Sequence, residues 1–142
     1  RSELAAQITA LGLDDQVHLI GNRTQAEVKA YLHHAAMLVA PCIISADGDR
    51  DGLPTILVEA MALGTPCIST NIVGIPELIH DGETGLLVPP HDPDALAETI
   101  NRLLEKPAYG EHLAANARAH IEQHYDIHQN TAELREHITR GG

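Results

Sequence analysis

The sequence predicts an α/β fold in which a Rossmann-like parallel sheet carries helices on both faces. Short apolar runs alternate with stretches of helical periodicity, and the connections between them are a few residues long. The chain has 142 residues, of which 44% are hydrophobic, and we therefore expect one domain, residues 1–142, with its own core. Because the sequence contains no Phe or Trp, that core must consist of Ile, Leu, Val and Ala.

The helices are predicted from apolar residues at spacings of three and four. Thr24 and Glu27 form a capping box at one helix start, and Asp92 precedes a proline at another. Gly12 and Gly64 follow two helix ends, where a left-handed residue is common. The predicted helices cover about residues 2–11, 24–36, 54–63, 93–106, 108–123 and 127–139.

The strands are predicted from short apolar runs, at residues 17–20, 37–40, 67–69 and 86–88. Helical segments separate these runs, so the strands should be parallel. Ligands bind such sheets at the carboxyl ends of the strands. Segment 41–53 follows the second predicted strand directly and should lie on that edge, where the next helix presents its first free N–H groups.

The charge of the chain restricts its partners. The formal net charge is -11, which argues against binding to a nucleic-acid duplex or to an anionic membrane surface. Lys29 and Arg50 are the only basic residues between Arg23 and Arg102. An anionic ligand would therefore be bound mainly by main-chain N–H groups at a helix start, or by residues outside this chain.

The compartment and the extent of the chain also follow from the sequence. Cys42 and Cys67 are too few for a disulfide framework and are predicted to be inert core thiols. No signal peptide opens the chain, and no apolar run is long enough to span a membrane, so we expect a cytoplasmic protein. The first residue is not Met and falls within a predicted helix, which suggests a piece of a longer protein.

The acidic segment at residues 47–52 has two interpretations. Asp47, Asp49 and Asp51 match the first ligands of a calcium loop, which requires a Glu at position 12. Position 12 is Val58, and Glu59 comes one residue later, where the helix has turned by about 100°. The segment also follows a predicted strand and not a helix, so calcium is disfavoured. Asp47 and Asp49 are interpreted as a solvated loop.

The second interpretation is a sugar-nucleotide site. Asp51 and Glu59 are acceptor-only groups, and a pair of them suits a ligand with many hydroxyl donors. The helix that begins between them supplies main-chain donors for phosphate. Glu59 interrupts an otherwise apolar helix, where a carboxylate without a partner is costly. Asp51 could alternatively act as a helix cap.

A family resemblance supports the second interpretation. The run at residues 51–66, DGLPTILVEAMALGTP, resembles the signature of retaining glycosyltransferases of family 4. Residues 74–77 (GIPE), 81–82 (DG), 84–88 (TGLLV) and 92–93 (DP) continue it in order. The resemblance covers roughly residues 12–105 and is greatest to enzymes of exopolysaccharide or colanic-acid assembly.

The resemblance implies a GT-B fold, of which this chain would be most of the carboxyl-terminal, donor-binding lobe. The amino-terminal lobe and the start of this lobe would lie outside the chain, and the chain alone is expected to be inactive. The implied reaction transfers a hexose from a UDP- or GDP-sugar to a glycan or lipid-linked acceptor with retention of configuration. It implies no cofactor and no catalytic metal, and it is compatible with peripheral membrane association of the complete protein.

The resemblance also assigns roles to residues. It implies that Glu59 accepts hydrogen bonds from the ribose hydroxyls and that Asp51, where relatives usually have Glu, contacts the transferred sugar as the candidate catalytic residue. Pro54 has no N–H where many relatives have Gly. The main-chain N–H groups expected against the sugar and diphosphate are those of Gly52, Leu53 and Thr55.

Other candidates are less specific. Asn22 and Arg23 follow the predicted strand 17–20 and could contact the nucleobase, or they form an exposed loop. His120, His124 and His128 are spaced four apart, but no Cys or carboxylate completes a metal site, so they are interpreted as a wet helix face. A non-catalytic, regulatory module that binds a nucleotide-sugar remains an alternative function.

Overall fold

The structure, a computed structural model, describes residues 2–43, 54–72 and 74–125. The acidic segment 44–53 and the predicted helix 127–139 lie outside the described residues. The helices are α1 (Ser2–Ala10), α2 (Gln25–His34), α3 (Thr55–Leu63), α4 (Ile75–Leu78), α5 (Pro93–Glu105) and α6 (Pro107–His124). The strands are β1 (Leu38–Ala40), β2 (Cys67–Thr70) and β3 (Leu86–Val88).

The described strands form a parallel sheet in the order β1-β2-β3. Val39 lies opposite Ile68 across the first pair, and Ser69 lies opposite Leu87 across the second. The helix between each pair of strands makes this arrangement possible, because parallel neighbours need a crossover connection. The predicted parallel sheet is confirmed for these three strands.

The sheet is covered on both faces because successive strand residues point to opposite sides. Cys67 belongs to a hydrophobic cluster with residues of α2, α3, α4 and the second half of α6, whereas Ile68 packs with residues of α5 and the first half of α6. α6 therefore contributes to both clusters. Burial of Leu57, Met61, Ile75 and similar aliphatic side chains replaces the absent Phe and Trp.

Three buried hydroxyl groups attach the β2 segment to the preceding part of the chain. Each belongs to a residue between positions 65 and 70 and donates to a main-chain carbonyl oxygen, so no buried hydroxyl is left without an acceptor in this group. The pairs are Thr65 to Leu32 at 2.8 Å, Ser69 to Ala40 at 2.7 Å and Thr70 to Cys42 at 2.5 Å. These bonds fix where the chain leaves the carboxyl end of β1.

The prediction of a strand at residues 17–20 is wrong. Within the described residues, this segment pairs with no strand, and the N–H of Val17 donates instead to the carbonyl of Leu13 at 2.9 Å, closing a turn. Val17, Leu19 and Ile20 remain 37–43% exposed. A β-strand needs a neighbouring strand to satisfy its main-chain groups, and an apolar run alone does not provide one.

The predicted helix boundaries agree with the structure to within about two residues, as expected for fraying ends. The Thr24–Glu27 capping box is present, and Asp92 accepts a hydrogen bond from the N–H of Ala95. Gly64 follows α3 with a left-handed φ of 75°. Pro54 was expected within the first helical turn but is the N-cap of α3.

Candidate functional site

The candidate site is built around the start of α3. Pro54 is the N-cap of this helix, with φ -61° and ψ 114°, and its side chain makes no capping hydrogen bond. The N–H of Leu57 donates to the carbonyl of Pro54 at 3.0 Å, so the N–H groups of Thr55 and Ile56 precede the first intrahelical bond. Such first-turn groups, together with the helix dipole, attract an anion.

Glu59 lies one turn further along the same helix face. Residues four apart on a helix are neighbours, so the carboxylate of Glu59 lies over the turn that contains Thr55. Thr55 is exposed and Glu59 is half-buried, whereas Leu57, Ala60 and Met61 are fully buried in the core. The helix thus presents main-chain donors and a carboxylate acceptor on one face, while the rest of it anchors the helix.

The predicted donor-binding set is only partly described. The structure describes Pro54, Thr55 and Glu59, whereas Asp51, Gly52 and Leu53 lie outside the described residues. The assignment of Asp51 as the catalytic candidate stays a prediction, as do the main-chain contacts of Gly52 and Leu53.

Asn22 and Arg23 are exposed in the segment that precedes α2. A guanidinium nitrogen of Arg23 lies 3.6 Å from a carboxylate oxygen of Glu27, four residues further along the chain. The strand that was expected to bring these residues to the carboxyl edge of the sheet is not formed among the described residues. Their contact with a nucleobase stays a prediction.

The segment after β2 reaches the same edge of the sheet. The N–H of Ile72 donates to the carbonyl of Thr70 at 2.9 Å, and Gly74 caps α4 with φ 90°. Carboxyl ends of parallel strands meet at one edge, so the main chain at 74–76 and the start of α3 lie on the side where such sheets bind ligands. The positive φ of Gly74 explains why a glycine opens the GIPE motif.

Sequence reasoning missed a concave surface at this edge. It is formed by residues at or after the carboxyl ends of all three strands, which is the signal that could have revealed it. His91 stands out there as a non-glycine residue with a positive φ of 60°. The lining residues are Pro41, Ile43, Thr70, Val88, Pro89, His91, Asp92, Pro93 and Leu96.

The motif at residues 81–88 serves the fold. The N–H of Leu87 donates to the carboxylate of Asp81 at 2.9 Å, and the hydroxyl of Thr84 accepts from the N–H of His80 at 2.9 Å. A Cβ atom at Gly85 would lie 2.9 Å from a methyl carbon of Ile79 and 3.0 Å from the carbonyl oxygen of Cys67. These residues therefore build the turn that leads into β3.

The burial of Cys67 and of the histidines of α6 tests two predictions made from the sequence. Burial raises the pKa of Cys67 to about 12, so the prediction of an inert core thiol is confirmed for this residue. The prediction of a wet helix face is confirmed for His124, which is exposed, and only in part for His120, which is half-buried and has a buried Nε2 atom without a hydrogen-bond partner. His128 lies outside the described residues.

The described residues contain neither a metal-binding cluster nor a helix that could span a membrane. Within residues 2–43, 54–72 and 74–125, no group of three or more His, Cys, Asp or Glu residues is arranged to hold a metal ion. None of the helices in that part of the chain has the length and apolar character needed to cross a membrane.

A parallel α/β sheet of this kind binds ligands at the carboxyl ends of its strands, and the uncapped start of α3 and the carboxylate of Glu59 lie at that edge. The sequence profile of the family described as "Glycosyl transferases group 1" matches residues 1–120. The chain therefore belongs to this family of glycosyltransferases.

Two of the similar proteins are named for bacterial polysaccharide biosynthesis. The chain is 37% identical over 139 residues to the amylovoran biosynthesis glycosyltransferase AmsK of Erwinia amylovora, covering 98% of the chain and 34% of that protein. It is 44% identical over 88 residues to the putative colanic acid biosynthesis glycosyltransferase WcaL of Escherichia coli K12, covering 62% of the chain and 22% of that protein. The chain thus spans about a third or less of these relatives.

Solved structures show the same fold. Anabaena Alr3699/HepE, crystallised in complex with UDP-glucose, matches with a TM-score of 0.84 and 27% identity over 98% of this chain and 36% of that protein. The carboxyl-terminal domain of LpcC, a group 1 family glycosyltransferase of Francisella tularensis, matches with a TM-score of 0.75 and 25% identity over 89% of this chain and 62% of that chain. The predicted fold class, part of a GT-B fold, is confirmed.

Proposed function

We propose that this chain is most of the donor-binding lobe of a glycosyltransferase that acts in polysaccharide biosynthesis. The supporting observation is the start of α3, where first-turn N–H groups and the half-buried Glu59 share one helix face at the carboxyl edge of the sheet. A nucleotide-sugar carries both a diphosphate and several hydroxyl groups. The helix start can bind the diphosphate, and the carboxylate can accept hydrogen bonds from the hydroxyl groups.

The proposed roles follow from this chemistry. The N–H of Thr55, with those of Gly52 and Leu53, binds the diphosphate and stabilises the charge that develops on it as the bond to the sugar breaks. Glu59 accepts hydrogen bonds from the ribose hydroxyls, and Asp51 contacts the transferred sugar. The transfer retains the configuration of the sugar, and neither a metal nor another cofactor takes part.

The donor is proposed to be a UDP-sugar, with a GDP-sugar as the competitor to test. Alr3699/HepE, to which this chain is similar, was crystallised with UDP and with UDP-glucose. The acceptor, a glycan or a lipid-linked sugar, would bind in the other lobe of a complete cytoplasmic enzyme that associates peripherally with the membrane. Residues outside this chain would also supply the positive charge that its basic residues do not provide.

The test is donor binding by isothermal titration calorimetry with UDP, UDP-glucose and GDP-mannose. The complete natural protein is the right sample, because this chain spans only 34% of its relative AmsK. Loss of charged hydrogen bonds of about 1.5–3 kcal/mol each should make Glu59→Ala bind the donor at least about ten-fold more weakly. Glu98→Ala, which removes an exposed carboxylate from α5, is the matched control and should bind normally.

The outcomes separate the two candidate functions. Weaker binding by Glu59→Ala together with measurable sugar transfer by the wild-type protein supports the enzyme. Binding without transfer to any glycan acceptor supports the regulatory module, and equal affinity of Glu59→Ala and the wild type contradicts the proposed site. The isolated 142-residue chain is expected to bind donors weakly and to transfer no sugar.

A further inference from the structure

A surface pocket between α4 and the end of α6 is lined entirely by titratable residues, Glu77, His80, His120, His124 and Tyr125, and is called the histidine pocket below. The ring of His120 is its centre. Its centroid lies 4.8 Å from that of His80 and 4.8 Å from that of His124, and 5.9 Å from the ring of Tyr125. The pocket thus brings together two rings of α6, the ring of Tyr125 at its end, and the ring of His80 from the segment after α4.

The surroundings of His120 disfavour its protonation. Its Nε2 atom is buried and has no acceptor that could receive a hydrogen bond from a protonated ring. Burial, together with the neighbouring His80 and His124, lowers the pKa of His120 below its ordinary value of 6.5. The ring centroids of His80 and His124 each lie 4.8 Å from that of His120, so a positive charge on either ring would oppose protonation of His120.

Among the residues that the structure describes, Glu77 of α4 is the one acidic residue that lines the pocket. Burial, and to a smaller extent the carboxylate of Glu77, raises the pKa of Tyr125. α6 packs against α3 and α5 as well, but Glu59 of α3 and the charged residues of α5 are not among the lining residues. Arg118 and Glu122 of α6 pair with each other at 2.9 Å.

We propose that the histidine pocket is a pH-sensitive contact that holds the end of α6 against the α4 segment at neutral pH and releases it in mild acid. Protonation of His120 places a positive charge on a ring whose buried Nε2 atom has no acceptor and which is in contact with the rings of His80 and His124. The contact then opens locally at the pocket, while buried side chains such as Ile121 and Leu78 and the hydrogen bond from Asn116 to the carbonyl of Glu83 at 3.0 Å keep the rest of α6 in place.

The direction of the pH effect follows from the lowered pKa of His120. In the unfolded or opened state this ring binds a proton near pH 6.5, whereas in the closed state it resists protonation to a lower pH. The opened state therefore binds more protons, and the closed state loses stability as the pH falls from 6.5 through the lowered pKa. Within this pH range, each histidine that resists protonation in the closed state reduces the ratio of closed to open molecules by up to about ten-fold for each unit by which the pH falls.

The segment that opens is joined through α4 to the sheet edge at which the candidate donor site lies. This helix has four residues, and its cap, Gly74, lies at the carboxyl end of β2. A contact that opens at residues 77–80 would free the helix at one end while the Gly74 end stays in place at the sheet edge.

The first experiment is an NMR titration of the histidine rings between pH 8 and 5 in the 142-residue chain. His112 is exposed on the same helix and is the internal reference. We expect the midpoint of His120 to lie at lower pH than that of His112. A midpoint of His120 equal to or above that of His112 would overturn the proposal, and this measurement needs no variant.

The second experiment is amide hydrogen exchange at pH 7.5 and 5.5, corrected for intrinsic rates. We expect faster exchange in acid at residues 76–80 and 118–125 but not within α5. His120→Gln should abolish this difference, whereas His112→Gln should retain it. Glu77→Gln should shift the opening to higher pH, because it removes the negative charge that lines the pocket. A uniform change along the chain, or one that persists unchanged in His120→Gln, would contradict the proposal.

Discussion

Residues 2–24 and residues 54–72 have similar apolar patterns but very different burial. α1 contains no buried residue, and Leu4 and Ile20 are 55% and 43% exposed. In α3, by contrast, Leu57 and Met61 are completely buried against the sheet and against α6. An apolar pattern therefore shows that a segment can be buried. Whether it is buried depends on a second surface that fits it.

The largest expected effect tests this difference in the core. Leu57→Ala should lower the free energy of unfolding by about 3 kcal/mol, because it removes a fully buried side chain and leaves a cavity. Ile20→Ala deletes a comparable side chain from an exposed segment and should change it by less than about 0.5 kcal/mol. Urea denaturation of the 142-residue chain, followed by circular dichroism, measures both. Equal losses would show that residues 17–20 are packed in solution.

A smaller effect on stability is expected from removing one threonine hydroxyl group in each of the two regions. Thr65 donates to the carbonyl of Leu32 inside the protein, and Thr65→Val should cost about 1–1.5 kcal/mol by removing this buried hydrogen bond, although that carbonyl keeps a longer bond from the N–H of Ala35 at 3.3 Å. Thr9 donates to a carboxylate oxygen of Asp14 in an exposed pair, and Thr9→Val should cost about 0.5 kcal/mol or less.

Thr65→Ser is the control for this comparison, because it keeps the hydroxyl and should restore most of the stability. The free energy of unfolding is again read from urea denaturation. If Thr65→Ser is as unstable as Thr65→Val, the loss arises from packing of the methyl group, and the hydrogen bond is not its cause.

The same contrast explains what the sequence predicted well. Helix starts such as Thr24 and Asp92, and the glycine after α3, depend on hydrogen bonds within a few residues, and these are visible in the sequence. The strand at 17–20 was predicted from a local pattern, but its formation depends on a neighbour that the described residues do not supply. Local signals were therefore sufficient for ends of elements and insufficient for pairing.

In the candidate site, too, a residue with a local signal was predicted, whereas residues that meet only in the folded chain were missed. Glu59 was identified because an acid in an apolar helix is unusual, and the structure places it half-buried on the face of Thr55. The surface around His91 and Thr70 was missed because its residues are distant in sequence and meet only when three strands align. The histidine pocket was likewise missed, because the spacing of His120 and His124 gives no information on His80, which comes from another segment.

The next smaller effect concerns helix caps, whose contribution should not depend on the burial that separates the two regions. Asp92→Ala removes the cap of α5 and Thr24→Ala removes the capping box of α2, and each should cost about 1 kcal/mol. A cap accepts hydrogen bonds from main-chain groups of its own helix, so the stabilisation it gives does not require that the cap be buried. A cost for Thr24→Ala near zero would show that α2 gains its stability from packing of Leu32 and not from its cap.

The smallest effect is the pH dependence of that capping box. The main-chain N–H of Thr24 and then its hydroxyl lower the pKa of Glu27 below its ordinary value of 4.5, because both donate to the charged carboxylate. The folded pKa lies below the unfolded one, so the stabilisation is present above pH 4.5 and is lost as the pH falls through the folded pKa. In urea midpoints measured from about pH 5 to 3, Glu27→Gln should therefore show a weaker acid dependence than the wild type. Glu3→Gln, which removes a carboxylate from the first turn of α1, should retain the wild-type dependence, and a weakened dependence in both variants would assign the effect to net charge.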